Sequence, residues 1–406
     1  MPLLTKPSLN VIAIGGEHHY YHFIPVACEL HRRGRIDVRI FVPDTDSAQN
    51  LTELVARLGF EPPPVIVMRL PGLMERCLPR AIDKITRLFA WNRQLRDATG
   101  LYTAERTSTL LRRLPGRQPL YIHTPHGAGD RAKGFEKRIA LFDHVLVSGP
   151  KDRDRMIADG LIAPDRCQVM GSVKVASLMG ASPGRTPLFD NDRPVVLYNP
   201  HFDPVLGSYR HVAERLMTAM AAQDRYNFIF APHVRLSRSW SAAEREHWES
   251  RAVRGKIIVD AGSPRCSDMT YTLAADLYIG DVSSQIYEYL VDPRPALFID
   301  TQGKSWRDDP SFAMWHLGRV VTPDADLMAA IDESLADNAP FAARQTQAVQ
   351  QALGIDPGQP GECRAQVARR VLERGAALIE TILVEANPGA TDAADATLGI
   401  SRPPAA

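Results

Sequence analysis

Residues 15 to 25, GGEHHYYHFIP, place Glu17, His18, His19 and His22 within six positions directly after an apolar run. Imidazole and carboxylate are the ligand types of a zinc site, and His18 and His22 stand at the i, i+4 spacing that shares a helical face. The same groups, with Gly16 admitting close approach of backbone, could instead contact a substrate hydroxyl. A second cluster lies in LYIHTPHGAGDRAKGFEK, residues 120 to 137. Here a strand ends at Thr124, Pro125 stiffens the turn, and His126 is followed by Gly127, Gly129, Asp130, Arg131 and Lys133. His126 has the chemistry of a general base, because an imidazole titrates near neutrality and can take a hydroxyl proton. The plainer alternative makes His123 and His126 ordinary turn residues.

A third group of candidates occupies strand exits further along. ADLYIGDVSSQIYEYLVDPRPALFID, residues 275 to 300, runs a strand into Asp281 and then opens a helix on Ser283 and Ser284. One serine can serve as the helix cap, which leaves the second hydroxyl over. Two hydroxyls and free N–H groups at a helix start suit a phosphate. FIFAPHVRL presents His233 and Arg235 after another strand, and VVLYNPHFDP presents His201 and Asp203 after a third. Imidazole N–H and guanidinium are both donors for anionic oxygens, although a histidine bonded to a nearby carbonyl would look the same in sequence.

The elements that must position these residues read as short β-branched runs alternating with helical segments. VIAIGG, VRIFVP, VIVMRL, LYIHT, HVLVSG and CQVMGS are the candidate strands of the first half. VVLYNP, NFIFAPH, KIIVDAG, LYIGD, ALFID and GRVVT are those of the second. Helical patterns such as FIPVACELHRRG and GSYRHVAERLMTAMAAQ lie between them. This rhythm predicts an α/β protein with two Rossmann-like domains whose parallel sheets bind ligands beyond their strand ends, facing a shared cleft. The expected division is 1–178 for the first domain, 179–194 for a linker and 195–340 for the second. Helices follow over 341–387, and a small, polar tail over 388–406 reads as disordered.

Composition narrows the functional classes. The 406 residues have 45% hydrophobic and 23% charged side chains, ordinary for a globular chain, and a formal net charge of +1 argues against wholesale nucleic-acid binding. Five scattered cysteines without CxxC spacing argue against a disulfide framework or zinc ribbon and fit a reducing compartment. No signal peptide or uninterrupted run of ~18 apolar residues is evident, so a cytoplasmic protein is expected.

Several of these stretches, in this order, resemble the CDP-glycerol glycerophosphotransferase family of teichoic-acid polymerases and primases. The likeness rests on PHG at 125–127, DHVLVSGPKDRDRM through CQVMGSVKVASL, VVLYNPHFDP, FAPH, and above all Asp281 to Glu288. It implies the GT-B fold and transfer of glycerol phosphate or a related phospho-polyol from a CDP-activated donor to a hydroxyl acceptor. By that resemblance His126 would deprotonate the acceptor. His233, Ser283 and Ser284 would contact the donor's phosphates in a donor-nucleotide site that includes Asp281 and Glu288; His201 and Arg235 join that site by their own chemistry at the strand exits, and Gly16, His18, His22 and Gly127 would face the acceptor. The resemblance implies no metal and no bound cofactor. The chain departs from the family at Ala128-Gly129-Asp130-Arg131, where Thr-Pro-Leu-Lys is usual, and at Glu288, where aspartate is common. A nucleotide-sugar glycosyltransferase or epimerase, or a non-catalytic nucleotide-binding scaffold, are the competing readings.

Residues 74 to 118 hold ten Arg and Lys against four acids, a net +6. Within them Leu78, Ile82, Ile85 and Phe89 share a helical face, with Arg80, Lys84 and Arg87 off it. Either the helix packs on the sheet with a solvated basic side, or it lies on a membrane surface. A lipid-linked acceptor and a peripheral position on the inner membrane face would suit the second alternative.

Overall fold

The computed structural model describes residues 6–72, 79–126, 136–181, 187–303, 305–355 and 363–386. By contacts the described residues form two units, one built from 6–72, 79–126, 136–181 and 363–386 and the other from 187–303 and 305–355.

The first unit is a seven-stranded parallel sheet in the order β3-β2-β1-β4-β5-β6-β7. Its strands are β1 (Ser8–Ile12), β2 (Asp37–Val42), β3 (Val65–Val67), β4 (Gly100–Thr103), β5 (Leu120–His123), β6 (His144–Val147) and β7 (Cys167–Val169). Buried Ile12, Phe41, Leu101, Tyr121, Val145 and Val147 build its core. The connecting helices start and stop on local signals. Asp44 accepts from Ser47 N at 2.7 Å to cap the helix Thr45–Arg57, and Gly34 turns left-handed to end the helix Ile24–Arg33.

The second unit is a six-stranded parallel sheet, β10-β9-β8-β11-β12-β13. It comprises β8 (Val195–Asn199), β9 (Asn227–Phe230), β10 (Ile257–Val259), β11 (Leu277–Gly280), β12 (Ala296–Ile299) and β13 (Arg319–Val321). The helix Tyr209–Ala221 buries Val212, Leu216 and Met220 against this sheet.

The helical stretch expected over 341–387 is shared between the units. Ala339–Leu353 belongs to the second, whereas Arg364–Glu385 returns to the first and packs on the helices Val173–Ala181 and Ile24–Arg33. Its apolar positions Val371, Ile379 and Leu383 are buried, and Glu380 pairs with Arg33 at 3.2 Å. The helix Val173–Ala181 also carries the first unit past residue 178. The residues of the expected tail, 388–406, lie outside those described.

The helix Arg80–Ala90 turns outward the apolar face that packing on the sheet would bury. Ile82, Ile85 and Phe89 are 48%, 38% and 40% exposed, while Leu88 and Arg87 are buried. Arg87 can lie inside because its guanidinium donates to Asp83 at 2.9 Å and to the Met68 carbonyl at 2.6 Å, so the charge is paired. The basic side is therefore not uniformly the solvated one.

Candidate functional site

Each sheet reverses its strand order once. In the first unit the reversal falls between β1 and β4, which lie side by side with Ile12 opposite Thr103. In the second it falls between β8 and β11, with Asn199 opposite Gly280. Loops diverge at such a point and leave a crevice at the carboxyl ends of the strands.

At the first reversal, Thr103 donates from its hydroxyl to the Ile12 carbonyl at 3.1 Å and accepts from Glu105 N at 2.9 Å. This fixes Glu105 just beyond β4. Its carboxylate lies 3.3 Å from Nδ1 of buried His19, an ion-pair distance rather than an aligned hydrogen bond, and 3.6 Å from Lys84 Nζ. Burial alone would raise the Glu105 pKa, but His19 and Lys84 outweigh it and hold the group down to about 2. The His19 ring stacks on His126 with centroids 3.9 Å apart, and His18 packs edge-on to both.

The two glycines before this cluster have separate duties. A Cβ on Gly15 would overlap His19 Nδ1 and Glu105 Oε1, while Gly16 adopts φ 103°, a region that disfavours side chains. Gly15→Ala should accordingly lower stability by about 2 kcal/mol and pry the His19–Glu105 pair apart, seen as an earlier urea midpoint and a shifted His19 imidazole resonance.

The other histidines divide by environment. His126 keeps an exposed edge, yet desolvation of its stacked ring and the neighbouring His19 push its pKa down to about 4. His22 is driven well below the usual histidine range by burial and by Lys174, so it is neutral near pH 7. His123 donates from Nδ1 to the Thr103 carbonyl, 3.0 Å away, and stacks on Phe142, which makes it a core residue. Gly127 and the residues after it through 135 lie outside those described.

At the second reversal, Asp281 is fully buried and its Oδ2 accepts from His201 N at 2.8 Å and Ser208 N at 3.0 Å. Asp281 thereby clamps the loop after β8 to the end of β11. Among the described residues its Oδ1 has no hydrogen-bond partner, and burial pushes the carboxyl up to about 6. The Nδ1 of His201 accepts from Asp203 N, and that of His233 accepts from Arg235 N, both at 3.1 Å. A ring nitrogen that accepts carries no proton, so each imidazole bears its proton on Nε2 as a donor. Burial and the nearby Arg235 and Arg238 lower His233 to about 4, which keeps it neutral. The two rings lie 5.6 Å apart, and the Arg235 guanidinium stands over Phe202 at 5.1 Å.

Ser283 accepts weakly from Gln285 N at 3.3 Å, whereas the Ser284 side chain caps nothing. The helix they open, Gln285–Tyr289, is only five residues long, so its dipole contributes little beside the hydroxyls and imidazoles. Glu288 lines a narrow crevice with Asn199, Thr272, Arg265 and Gln285.

Sequence reasoning missed the pairing of His19 with Glu105. Glu105 looked like one acid in a basic stretch because β4, GLYT, was not recognised as a strand. An Ala-Glu directly after a Leu-Tyr-Thr run was the available signal. Among the described residues no group of three or more His, Cys, Asp or Glu side chains could hold a metal ion.

Two Rossmann-like parallel sheets, with a C-terminal helix packing back, define a GT-B-like fold. No family model and no curated protein sequence matches the chain. Solved structures do. UDP-GlcNAc 2-epimerase from Neisseria meningitidis bound to UDP-GlcNAc aligns with a TM-score of 0.57 at 12% identity, over 93% of this chain and 99% of its own. S. aureus MnaA with UDP aligns with a TM-score of 0.60 at 11% identity, over 86% and 93%. A histidine-to-asparagine variant of the wall teichoic acid polymerase TagF, soaked with CDPG, gives 0.59 at 12%, over 94% and 90%. At such identities the likeness is one of fold.

Proposed function

We propose that the protein is an enzyme acting on a nucleoside-diphosphate-activated substrate. The second unit would hold the diphosphate through the Nε2–H groups of His201 and His233, Arg235 and the hydroxyls of Ser283 and Ser284, with Glu288 near the ribose. His19 of the first unit would move the proton, and ionised Glu105 would stabilise the imidazolium that forms. His126, stacked on His19, would orient it. The observation that carries this reading is the largely buried His19–Glu105 pair at the reversal of one sheet, because a carboxylate held against an imidazole in a partly desolvated crevice is an arrangement suited to proton transfer.

For the substrate, the favoured reading is a nucleotide sugar, transferred or epimerised, since N. meningitidis UDP-GlcNAc 2-epimerase and S. aureus MnaA were solved with UDP-GlcNAc and UDP. In sugar transfer the acceptor oxygen bonds to the anomeric carbon, the carbon–oxygen bond to the diphosphate breaks, and the hydroxyl proton goes to His19. Glycerophosphate transfer from CDP-glycerol to a hydroxyl, lipid-linked or free, is the second reading, favoured by the paired serines and by TagF with CDPG.

The protein should be incubated with UDP-GlcNAc, UDP-glucose and CDP-glycerol, each with a membrane extract, and the nucleotides separated. Release of UDP marks sugar transfer, a new UDP-sugar marks epimerisation, and CMP marks glycerophosphate transfer. Unchanged substrates, together with no detectable binding of any nucleotide, would remove the proposal.

A further inference from the structure

The helix Arg80–Ala90 leaves an apolar stripe uncovered. Ile82, Ile85 and Phe89 sit at i, i+3 and i+7, spanning ~10 Å along one face, and all three are among the few large hydrophobic side chains that the described residues expose. Past its end the surface is cationic. Arg93 is exposed, Arg117 is 67% exposed, and both line one shallow depression whose single carboxylate is Asp97. Asp83, the helix's own acid, is held by Arg87 and so does not offset this charge.

We propose that this helix docks on an anionic bilayer, with Ile82, Ile85 and Phe89 entering the interfacial layer and Arg93 and Arg117 meeting the headgroups. Three half-exposed side chains supply at most a few hundred Å², well below the ~800 Å² per partner of a stable protein interface. A lipid surface needs no matching patch, and it rewards apolar groups flanked by cations. No described helix is long and apolar enough to cross a membrane, so the contact is one of lying on the surface. Lys84 of the same helix reaches Glu105, 3.6 Å away. If the proposed chemistry holds, the docked helix therefore sets the His19–Glu105 pair beside the bilayer, where a lipid-linked hydroxyl would be presented. That last step rests on the functional reading above, and the docking does not.

The test is sedimentation of the full chain with vesicles, without nucleotide or substrate, so that failure of the chemistry and failure of docking are separable. Vesicles of phosphatidylcholine alone are compared with 7:3 phosphatidylcholine:phosphatidylglycerol. Binding should require the anionic lipid and weaken at least about tenfold in 0.5 M salt. Phe89→Ser and Ile85→Ser should each lower the partition coefficient about tenfold, and Arg93→Glu with Arg117→Glu should abolish binding. Because these side chains are exposed, thermal melts of the variants should match the parent. No sedimentation with either vesicle, equal binding by the Ser variants, or a concentration-dependent dimer lost in Phe89→Ser would each overturn the proposal.

Discussion

His19→Ala should lower turnover by about 10²- to 10⁴-fold while nucleotide binding to the second unit stays within a factor of a few. The expectation follows from where the proton can go. His126 is held near 4 and is a weak base, whereas His19 lies against a carboxylate that stays ionised down to pH ~2. His126→Ala should therefore cost less than His19→Ala, reversing the ranking expected from sequence. Glu105→Gln should also slow turnover, because the amide cannot balance an imidazolium. That substitution has a stability component with a defined sign. The folded pKa of Glu105 lies below its ordinary value, so its stabilisation is present above pH ~4.5 and is lost as pH falls towards 2. Its size is about 3 kcal/mol. Steady-state rates should be read beside urea melts at pH 7, and equal turnover in parent and His19→Ala would refute the assignment.

Asp281→Leu should abolish nucleotide binding and destabilise the second unit by about 2 to 4 kcal/mol. It strips the acceptor from two buried N–H groups, those of His201 and Ser208. Asp281→Asn keeps an acceptor of the same shape and should retain the fold. Here the pH dependence runs the opposite way from Glu105. The folded pKa of about 6 lies above the unfolded value, so the favourable contribution is complete below pH ~4 and is lost as pH rises through 6. Melting curves from pH 4 to 8 should show this decline in the parent and a flatter profile in Asp281→Asn. A parallel profile in both would assign the dependence elsewhere.

The six strands of the second unit are legible in sequence because each is a short run of largely apolar, β-branched or aromatic residues with Pro, Gly or Asp at its end or within two positions after it. Ser283, His233 and His201 are legible for the same reason, since they follow those runs directly. β4 escaped because Gly100 begins it and a polar segment, Asn92 to Thr99, precedes it, so neither period nor flanking turn marks a strand. Losing β4 meant losing Glu105, and with it the partner that distinguishes His19 from its neighbours. The face of Arg80–Ala90 stays open between two alternatives in sequence for a different reason. Periodicity locates an apolar stripe but does not say what meets it, and here a paired arginine takes the inner side. Asp281 reads in sequence as a ligand contact, while its two backbone partners emerge only when β8 and β11 are neighbours.

Because the final helix, Arg364–Glu385, completes the unit that the first strand begins, the second sheet is in effect an insertion within the first. During synthesis, residues 187–355 leave the ribosome with every strand of their own sheet, while the amino-terminal half still lacks the cover over Val173–Ala181. The later part of the chain can thus mature before the earlier part, where the helix Val173–Ala181 must wait for Arg364–Glu385 to emerge.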